Sequence, residues 1–416
     1  SPHSFQYYSA GLSGVLSDLI TLPKFMSFLK GSITYAEVGN GGQFGLLTPS
    51  YIYSQGAGNG YLSRSTVLPF PGLKPEIVKN LEAGIQVRFI NNRLGFNVTY
   101  YKSNSFNQLI QVPIPVATGY TSQYINAGNI ENHGLEFVLD ASPVKNRDFS
   151  WELAFNISLN RNKVIKLSDN LGPIYQGDFK NFGAIPQIKE GGSFDDLISD
   201  QWQKDAKGNY MVTAKGLPLF TSQSGQAPGV IGNYSPKEIL GLTNTFTYRN
   251  FSLRILTDGQ LGGIMFSNTE QNLAFSGITE VTAKNREGGW NLGGVDVNGN
   301  QITKDITAQQ FWQTVSAKLS GVGEFFTYDA TNFRIREISF GYKIPLPFKS
   351  IIKSASISVV ARNLLWLYRG SSILDIPGLG KRKMWFDPNM SKYAPGTEYG
   401  ANPSTRSLGF NLQVSF

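Results

Sequence analysis

Nine aromatic residues are the first candidates for chemistry: Trp202, Tyr210, Phe220, Trp290, Trp312, Phe325, Phe326, Trp385 and Tyr393. All lie in long stretches between the periodic segments. An aromatic face stacks on a sugar ring or packs on a peptide side chain, and loops are where binding residues concentrate. These rings are therefore the expected contacts for a ligand or for a covering partner. Equally, a long ordered loop needs a small core of its own, and the same rings could supply it. Asp195 and Asp196 form a carboxylate pair. Neighbours on an extended chain point to opposite faces and would not converge on one bond, so solvated loop acids are expected. Asp205, Lys207 and Asn209, and likewise Asp296, Asn298 and Asn300, are spaced faintly like calcium loops. Lys207 occupies a ligand position and neither stretch has the terminal Glu, so tips of small hairpins are expected instead.

Composition removes most other chemistry. The 416 residues include no Cys, which excludes a disulfide scaffold, a Cys-ligated zinc and a thiol nucleophile. Only His3 and His133 could serve a Ser–His–acid triad, and His133 falls in a predicted strand. No enzyme activity, cofactor or metal is expected. The net charge of +8 is scattered, with Lys381-Arg382-Lys383 the one tight cluster. That fits a solvated charge excess, with contacts to anionic lipid headgroups if the chain sits in a membrane, and not nucleic-acid binding. With 16% charged and 13% aromatic residues, the chain is too weakly charged and too aromatic to be disordered. No run of about 18 apolar residues occurs, so no transmembrane helix is expected; alternating barrel strands escape that criterion. The opening Ser1-Pro2-His3-Ser4-Phe5 carries neither Met nor a leader, and a mature piece lacking upstream sequence is expected.

The elements that must position these residues are strands. Trp151, Leu153, Phe155, Ile157 and Leu159 alternate with polar or small residues, and so do Leu408, Phe410, Leu412, Val414 and Phe416. Such alternation gives one apolar and one polar face. Eleven strands are predicted: 5–19, 25–38, 76–90, 93–110, 127–142, 148–161, 237–248, 251–263, 328–345, 353–366 and 404–416. Several exceed the usual globular length and suit a strand tilted across a bilayer. In 333–344 the apolar phase slips from odd to even positions, which predicts a bulge near Glu337. One short helix is expected over about 308–319.

The connections decide the architecture. Those at 20–24, 91–92, 143–147, 249–250 and 346–352 are tight, and Asn91-Asn92 and Arg249-Asn250 suit hairpin turns. The intervening ones, 39–75, 111–126, 162–236, 264–327 and 367–403, are long. Strict alternation places every long loop at one end, as in an outer-membrane antiparallel β-barrel with periplasmic turns and extracellular loops. The C-terminus, Phe416, then falls on the periplasmic side. An open sheet edge in hydrocarbon leaves backbone groups unsatisfied, and bacterial barrels normally close with even strand numbers. Eleven strands are therefore expected to be part of a larger barrel. Tyr100, Tyr101, Tyr248, Tyr342, Trp151 and Trp366 are predicted girdle aromatics near strand ends. Glu76, Glu82, Glu136 and Arg336 are predicted to face the lumen or a rim, because charge on the lipid face at mid-depth costs roughly 2–4 kcal/mol.

Several stretches carry a family resemblance. Leu73-Lys74-Pro75-Glu76 with Asn80-Leu81-Glu82-Ala83-Gly84 is one. Asn126-Ala127-Gly128-Asn129-Ile130-Glu131-Asn132-His133-Gly134-Leu135-Glu136 is a second. Phe333-Arg334-Ile335-Arg336-Glu337-Ile338-Ser339-Phe340-Gly341-Tyr342 is a third. Ala361-Arg362-Asn363-Leu364-Leu365, then Asp387-Pro388 with Pro403 and Arg406, and the terminal Phe416 complete the set. In this order they resemble the SusC/RagA-like TonB-dependent outer-membrane transporters of Bacteroidetes-type bacteria, across essentially the whole chain. The resemblance implies a barrel of about 22 strands of which this chain is the C-terminal half. It implies further partners: an N-terminal barrel half with a plug, the TonB complex, a SusD-like surface lipoprotein, outer-membrane lipid, and an oligosaccharide or oligopeptide cargo. A passive porin-like channel, a soluble β-rich polysaccharide-binding or glycosidase-like protein, and a surface adhesin are the competing possibilities.

Overall fold

The computed structural model describes residues 5–42, 48, 50–56, 58–70, 72–168, 172–176, 183–317, 322–347, 351–390 and 394–416. Its main feature is a wall of eleven antiparallel strands: β1 Ser9–Val15, β2 Met26–Asn40, β3 Glu76–Phe89, β4 Leu94–Pro113, β5 Ser122–Lys145, β6 Phe149–Lys166, β7 Glu238–Tyr248, β8 Phe251–Leu261, β9 Asn332–Ile344, β10 Ser354–Arg369 and β11 Ser407–Ser415. Each pairs with its neighbours in sequence order. β1 and β11 form the two edges, so the sheet is open.

Register converts the alternation into two continuous faces. Leu12 lies opposite Ile33. Ile85 lies opposite Val98, then Phe137, Ile157 and Leu240 in turn. Leu253, Phe340, Val359 and Phe410 carry the apolar face to the far edge. On the other face Gln86 meets Asn97, and Thr99 meets Glu136, which meets Ser158. Leu12 and Phe410 are 74% and 80% exposed. An apolar surface of this extent is covered by lipid or protein when the molecule is at work.

Aromatic rings follow the apolar face near the tight turns. Phe25, Phe89, Phe96, Phe137 and Phe155 make successive contacts with centroids 5.8–6.3 Å apart. Trp151 stacks on Phe246 and Phe251 packs on Tyr342, extending the belt. Two predicted girdle residues lie elsewhere. Tyr101 pairs with Gly134 on the polar face and donates to Asn160 Oδ1 (3.0 Å). Trp366 lies beneath the guanidinium of Arg334, 4.9 Å from its ring, for the same reason of parity. Towards the opposite end of the apolar face the charges are paired, as in Glu37–Lys79 (3.0 Å), Glu131–Lys102 (2.9 Å) and Glu238–Arg161 (2.8 Å).

The turns behave as expected. Ile90, Asn91 and Asn92 all take left-handed φ, as does Arg249. The bulge is present: β9 loses register on β8 at Leu256/Thr257 and on β10 between Ile335 and Glu337. β1 is shorter than predicted, because Leu16–Asp18 forms a 3-10 turn. β4 and β5 are longer, because Gln108–Pro113 and Ser122–Ala127 continue the ladder as a ribbon beyond the wall, where Val67–Leu68 adds a short parallel strand alongside Ser122–Gln123.

All five long connections leave the same end. Two of them, with part of the last, fold into a cap over that end. It contains a four-stranded sheet (Ile174–Tyr175, Ala184–Ile188, Asp196–Ser199, Gly229–Asn233) and a three-stranded one (Thr327–Asp329, Ile264–Ser267, Thr397–Glu398). Two helices complete it, α1 Asn268–Phe275 and α2 Ala308–Ser316, the latter within the predicted span and closed by a Thr307/Gln310 capping box. Among the described residues no helix is long and apolar enough to cross a membrane.

Candidate functional site

The cap gathers most of the nine aromatic candidates into one core. Trp202, Phe220, Trp290, Trp312, Phe325 and Phe326 are at most 4% exposed and share a cluster with Leu197, Phe266, Phe311 and Ile376. Trp202 stacks on Phe325 (5.4 Å), and Trp290 packs at a tilt against Phe311 (4.3 Å). Rings closed off in this way form the core of the cap. Tyr210 covers Trp202 at 4.0 Å and carries Lys204 over its outer face at 4.6 Å. Trp385 is half exposed beside Phe386. Tyr393 lies outside the described residues.

The acids of the cap are structural acceptors. Asp195 and Asp196 are buried rather than solvated, which corrects the expectation from sequence. Asn162 Nδ2 donates to Asp195, whereas Asp196 accepts from Ser193 N–H (3.1 Å) and Asn233 Nδ2 (2.8 Å). The pair does not converge, as strand geometry requires. The two stretches resembling calcium loops are matching hairpin tips. Asp205 Oδ1 accepts from Lys207 N–H and Asn209 N–H, and Asp296 Oδ1 accepts from Asn298 N–H and Asn300 N–H, all at 2.8–2.9 Å. These bonds, with Asn209 and Asn300 the main donors, hold both carboxyls below the usual range.

Arg382, from the one tight basic cluster, is buried. Its Nε donates to Glu270 Oε1 (3.1 Å), and its guanidinium sits among the Trp312, Phe326 and Tyr328 rings. Burial pushes the Tyr328 phenol, a donor to Glu270, well up. Glu324 is the other unusual acid. Its Oε2 accepts the Trp202 N–H (2.9 Å), and burial pushes its carboxyl up to about 7.

Among the bonds that tie the connections to the wall, two join stretches singled out in the sequence. Asn126 Oδ1 accepts the Lys74 N–H, and Asn126 Nδ2 donates to the carbonyls of Lys74 and Asn107, all at 2.8 Å. Arg334 Nη1 bonds Asp387 Oδ2 (2.8 Å) and its Nε bonds Asp258 Oδ1 (3.1 Å). Arg336 bonds the same Asp258. Glu82 and Glu136 lie on the polar face, opposite Tyr101 and Thr99 respectively.

Sequence reasoning missed one concavity. Gln108–Pro113, Thr121, Ser122, Tyr175, Gln176 and Phe194 line a groove of about 490 Å3 between the ribbon and the cap. Nothing in a lone Gln or Tyr signals this; only the length of β4 past β3 creates it.

Similarity to known proteins agrees with this architecture. The family described as "TonB dependent receptor-like, beta-barrel" matches residues 24–364. TonB-dependent receptor P3 of Formosa agariphila is 25% identical over 374 residues, covering 83% of this chain and 34% of that protein. TonB-dependent receptor SusC of Bacteroides thetaiotaomicron is 24% identical, covering 86% of this chain and 34% of that protein. The chain thus spans about a third of the length of these relatives. The RagAB peptide transporter has the same fold, with a TM-score of 0.71 at 20% identity, over 99% of this chain and 43% of that one. The eleven-strand wall, its single apolar face and the family match over most of its length place this chain in the β-barrel of the TonB-dependent outer-membrane receptors.

Proposed function

We propose that the chain is the C-terminal wall and loop region of a TonB-dependent importer that takes up oligosaccharides or oligopeptides with a SusD-like lipoprotein as lid. The observation that carries this is the location of an ordered cap, with a hydrophobic core of its own, over the end of a wall whose polar face would line the lumen. A cap this heavily packed suits gated capture of large cargo better than free diffusion. Eleven further strands and a plug, supplied by upstream sequence, would close the two open edges. The long connections would be extracellular and Phe416 periplasmic. Among the described residues, half-exposed Trp385 and partly buried Tyr210 are the aromatic candidates left for cargo or lid.

The test uses the full-length protein in its own bacterium. A membrane-impermeant maleimide should label Val116→Cys and Val297→Cys variants on intact cells, and an Asn91→Cys variant only after the outer membrane is opened. Uptake of labelled oligosaccharides or oligopeptides should cease on loss of TonB. Uptake that persists without TonB would mean a passive channel.

A further inference from the structure

Among the described residues, nothing occupies one backbone edge of β4. It pairs with β3 only as far as Phe106, opposite Ile77, while its pairing with β5 runs on to Pro113, opposite Ser122. Asn107 takes a left-handed φ of 54° where the ribbon leaves the wall. In an antiparallel strand, alternate residues turn their N–H and C=O away from the partner. Among the described residues none pairs with that edge over Gln108–Val112. Proteins blunt such edges with charge, bulges or proline. Here no charge stands on the edge, and Pro113 only terminates it.

The open edge borders the groove between ribbon and cap. Ile110, Val112 and Phe194 line it and pack onto the buried Ile174 and Ile188 beneath. The facing wall is Tyr175 and Gln176, at the edge of the four-stranded cap sheet. Gln108, Gln111 and Gln176 add side-chain amides, and no residue lining the groove is charged.

We propose that this groove binds an extended, uncharged peptide segment by strand addition to the Gln108–Val112 edge. A row of alternating donors and acceptors repeats about every 7 Å, the period of an extended main chain. A sugar offers no such row, and its hydroxyls would meet only one half-exposed ring, Tyr175. The proposal rests on the importer assignment for the peptide's being cargo, but binding needs neither TonB nor an energised membrane.

The experiment therefore uses the purified full-length protein in detergent. Its probe is a fluorescein-labelled hexapeptide of alternating Thr and Val, followed by anisotropy. N-methylation of one alternate set of residues should weaken binding about tenfold or more, as loss of two main-chain hydrogen bonds predicts. Methylation of the other set should weaken it less than about threefold. Maleimide modification of a Gln111→Cys variant should block binding, whereas modification of a Val116→Cys variant should not. No peptide binding, equal sensitivity to both methylation sets, block from position 116 alone, or binding of maltohexaose in place of the peptide would each overturn the proposal. Because TonB is absent from the assay, failure here leaves import untouched, and failure of import leaves the groove untouched.

Discussion

Arg334 of β9 and Asp387 of the last long connection form an ion pair, 2.8 Å apart, with side chains only 3% and 4% exposed. The pair fastens that connection to the polar face of the wall. Two buried charges are costly to desolvate, so the pair contributes little against an apolar isostere, but removing one partner leaves the other uncompensated. Asp258 still contacts Arg334 Nε at 3.1 Å and limits the loss. Asp387→Ala should therefore cost roughly 2–3 kcal/mol, at or below the usual range for breaking a buried pair. Limited proteolysis of the full-length protein should show cleavage within 370–406 that the parent resists. Unchanged protection would mean that Arg334 positions nothing through Asp387.

Asn126 joins two distant stretches through three hydrogen bonds of 2.8 Å to Lys74 and Asn107 backbone groups. Asn126→Ala should destabilise the ribbon by about 1–3 kcal/mol, since partly buried backbone groups lose their partners. Asn126→Asp should be worse at neutral pH. A carboxylate still accepts from Lys74 N–H, but it sets an anionic oxygen against the Lys74 and Asn107 carbonyls. Hydrogen exchange at Lys74, compared among the three proteins, would rank them. An Asp variant as protected as the parent would contradict the assigned amide orientation.

Those two links show why the wall could be read from sequence and the cap could not. A strand such as Leu408–Phe416 declares itself, because its alternation is local and one face must be apolar. The bulge near Glu337 was visible as a phase slip for the same reason. The cap has no such period. Ala184–Ile188 is buried throughout, and α1 buries Asn268, Glu270, Gln271 and Ala274, a set that gives no apolar stripe. Its core draws Trp202, Trp290, Phe326 and Ile376 from separate stretches, so their shared burial is a tertiary fact. Asp195 and Asp196 were misjudged likewise, because Asn162, Ser193 and Asn233 converge on them only in the fold. The ribbon edge was missed because Ser122–Gln123 looked like loop, although it completes the β5 ladder.

Gly134 and Tyr101 are a close cross-strand pair on the polar face. A Cβ at Gly134 would stand 2.0 Å from the Leu159 carbonyl oxygen and 2.6 Å from the Tyr101 hydroxyl. The ring could swing aside, but the backbone oxygen could not without moving β6. Gly134→Ala should therefore cost about 1–3 kcal/mol, the usual range for overpacking. Tyr101→Phe, which loses the bond to Asn160, should cost about 1 kcal/mol. The fraction of full-length barrel that keeps its compact form in unheated detergent gels would measure both. A Gly134→Ala barrel as resistant as the parent would show that β5 and β6 have room the register denies them.

Glu324 makes the cap sensitive to pH. Burial pushes its carboxyl up to about 7, against the lowering effects of the Trp202 N–H and of Lys204, and Asp200 adds a further push. A carboxyl raised in the folded state binds its proton more tightly there than in the unfolded chain, whose value is 4.5. Its contribution is therefore fully present below about pH 4.5 and is lost as pH rises through about 7. The loss by pH 8 is on the order of 3 kcal/mol. Glu324→Gln keeps an oxygen for the Trp202 N–H and has no proton to lose, so it should stabilise the cap at pH 8 and change little at pH 5. Thermal unfolding of the full-length protein, followed by tryptophan fluorescence, reports the cap through Trp202, Trp290 and Trp312. A parent whose cap melts at the same temperature from pH 5 to pH 8, or a Gln variant that shifts both ends equally, would show that Glu324 stays ionised within the fold.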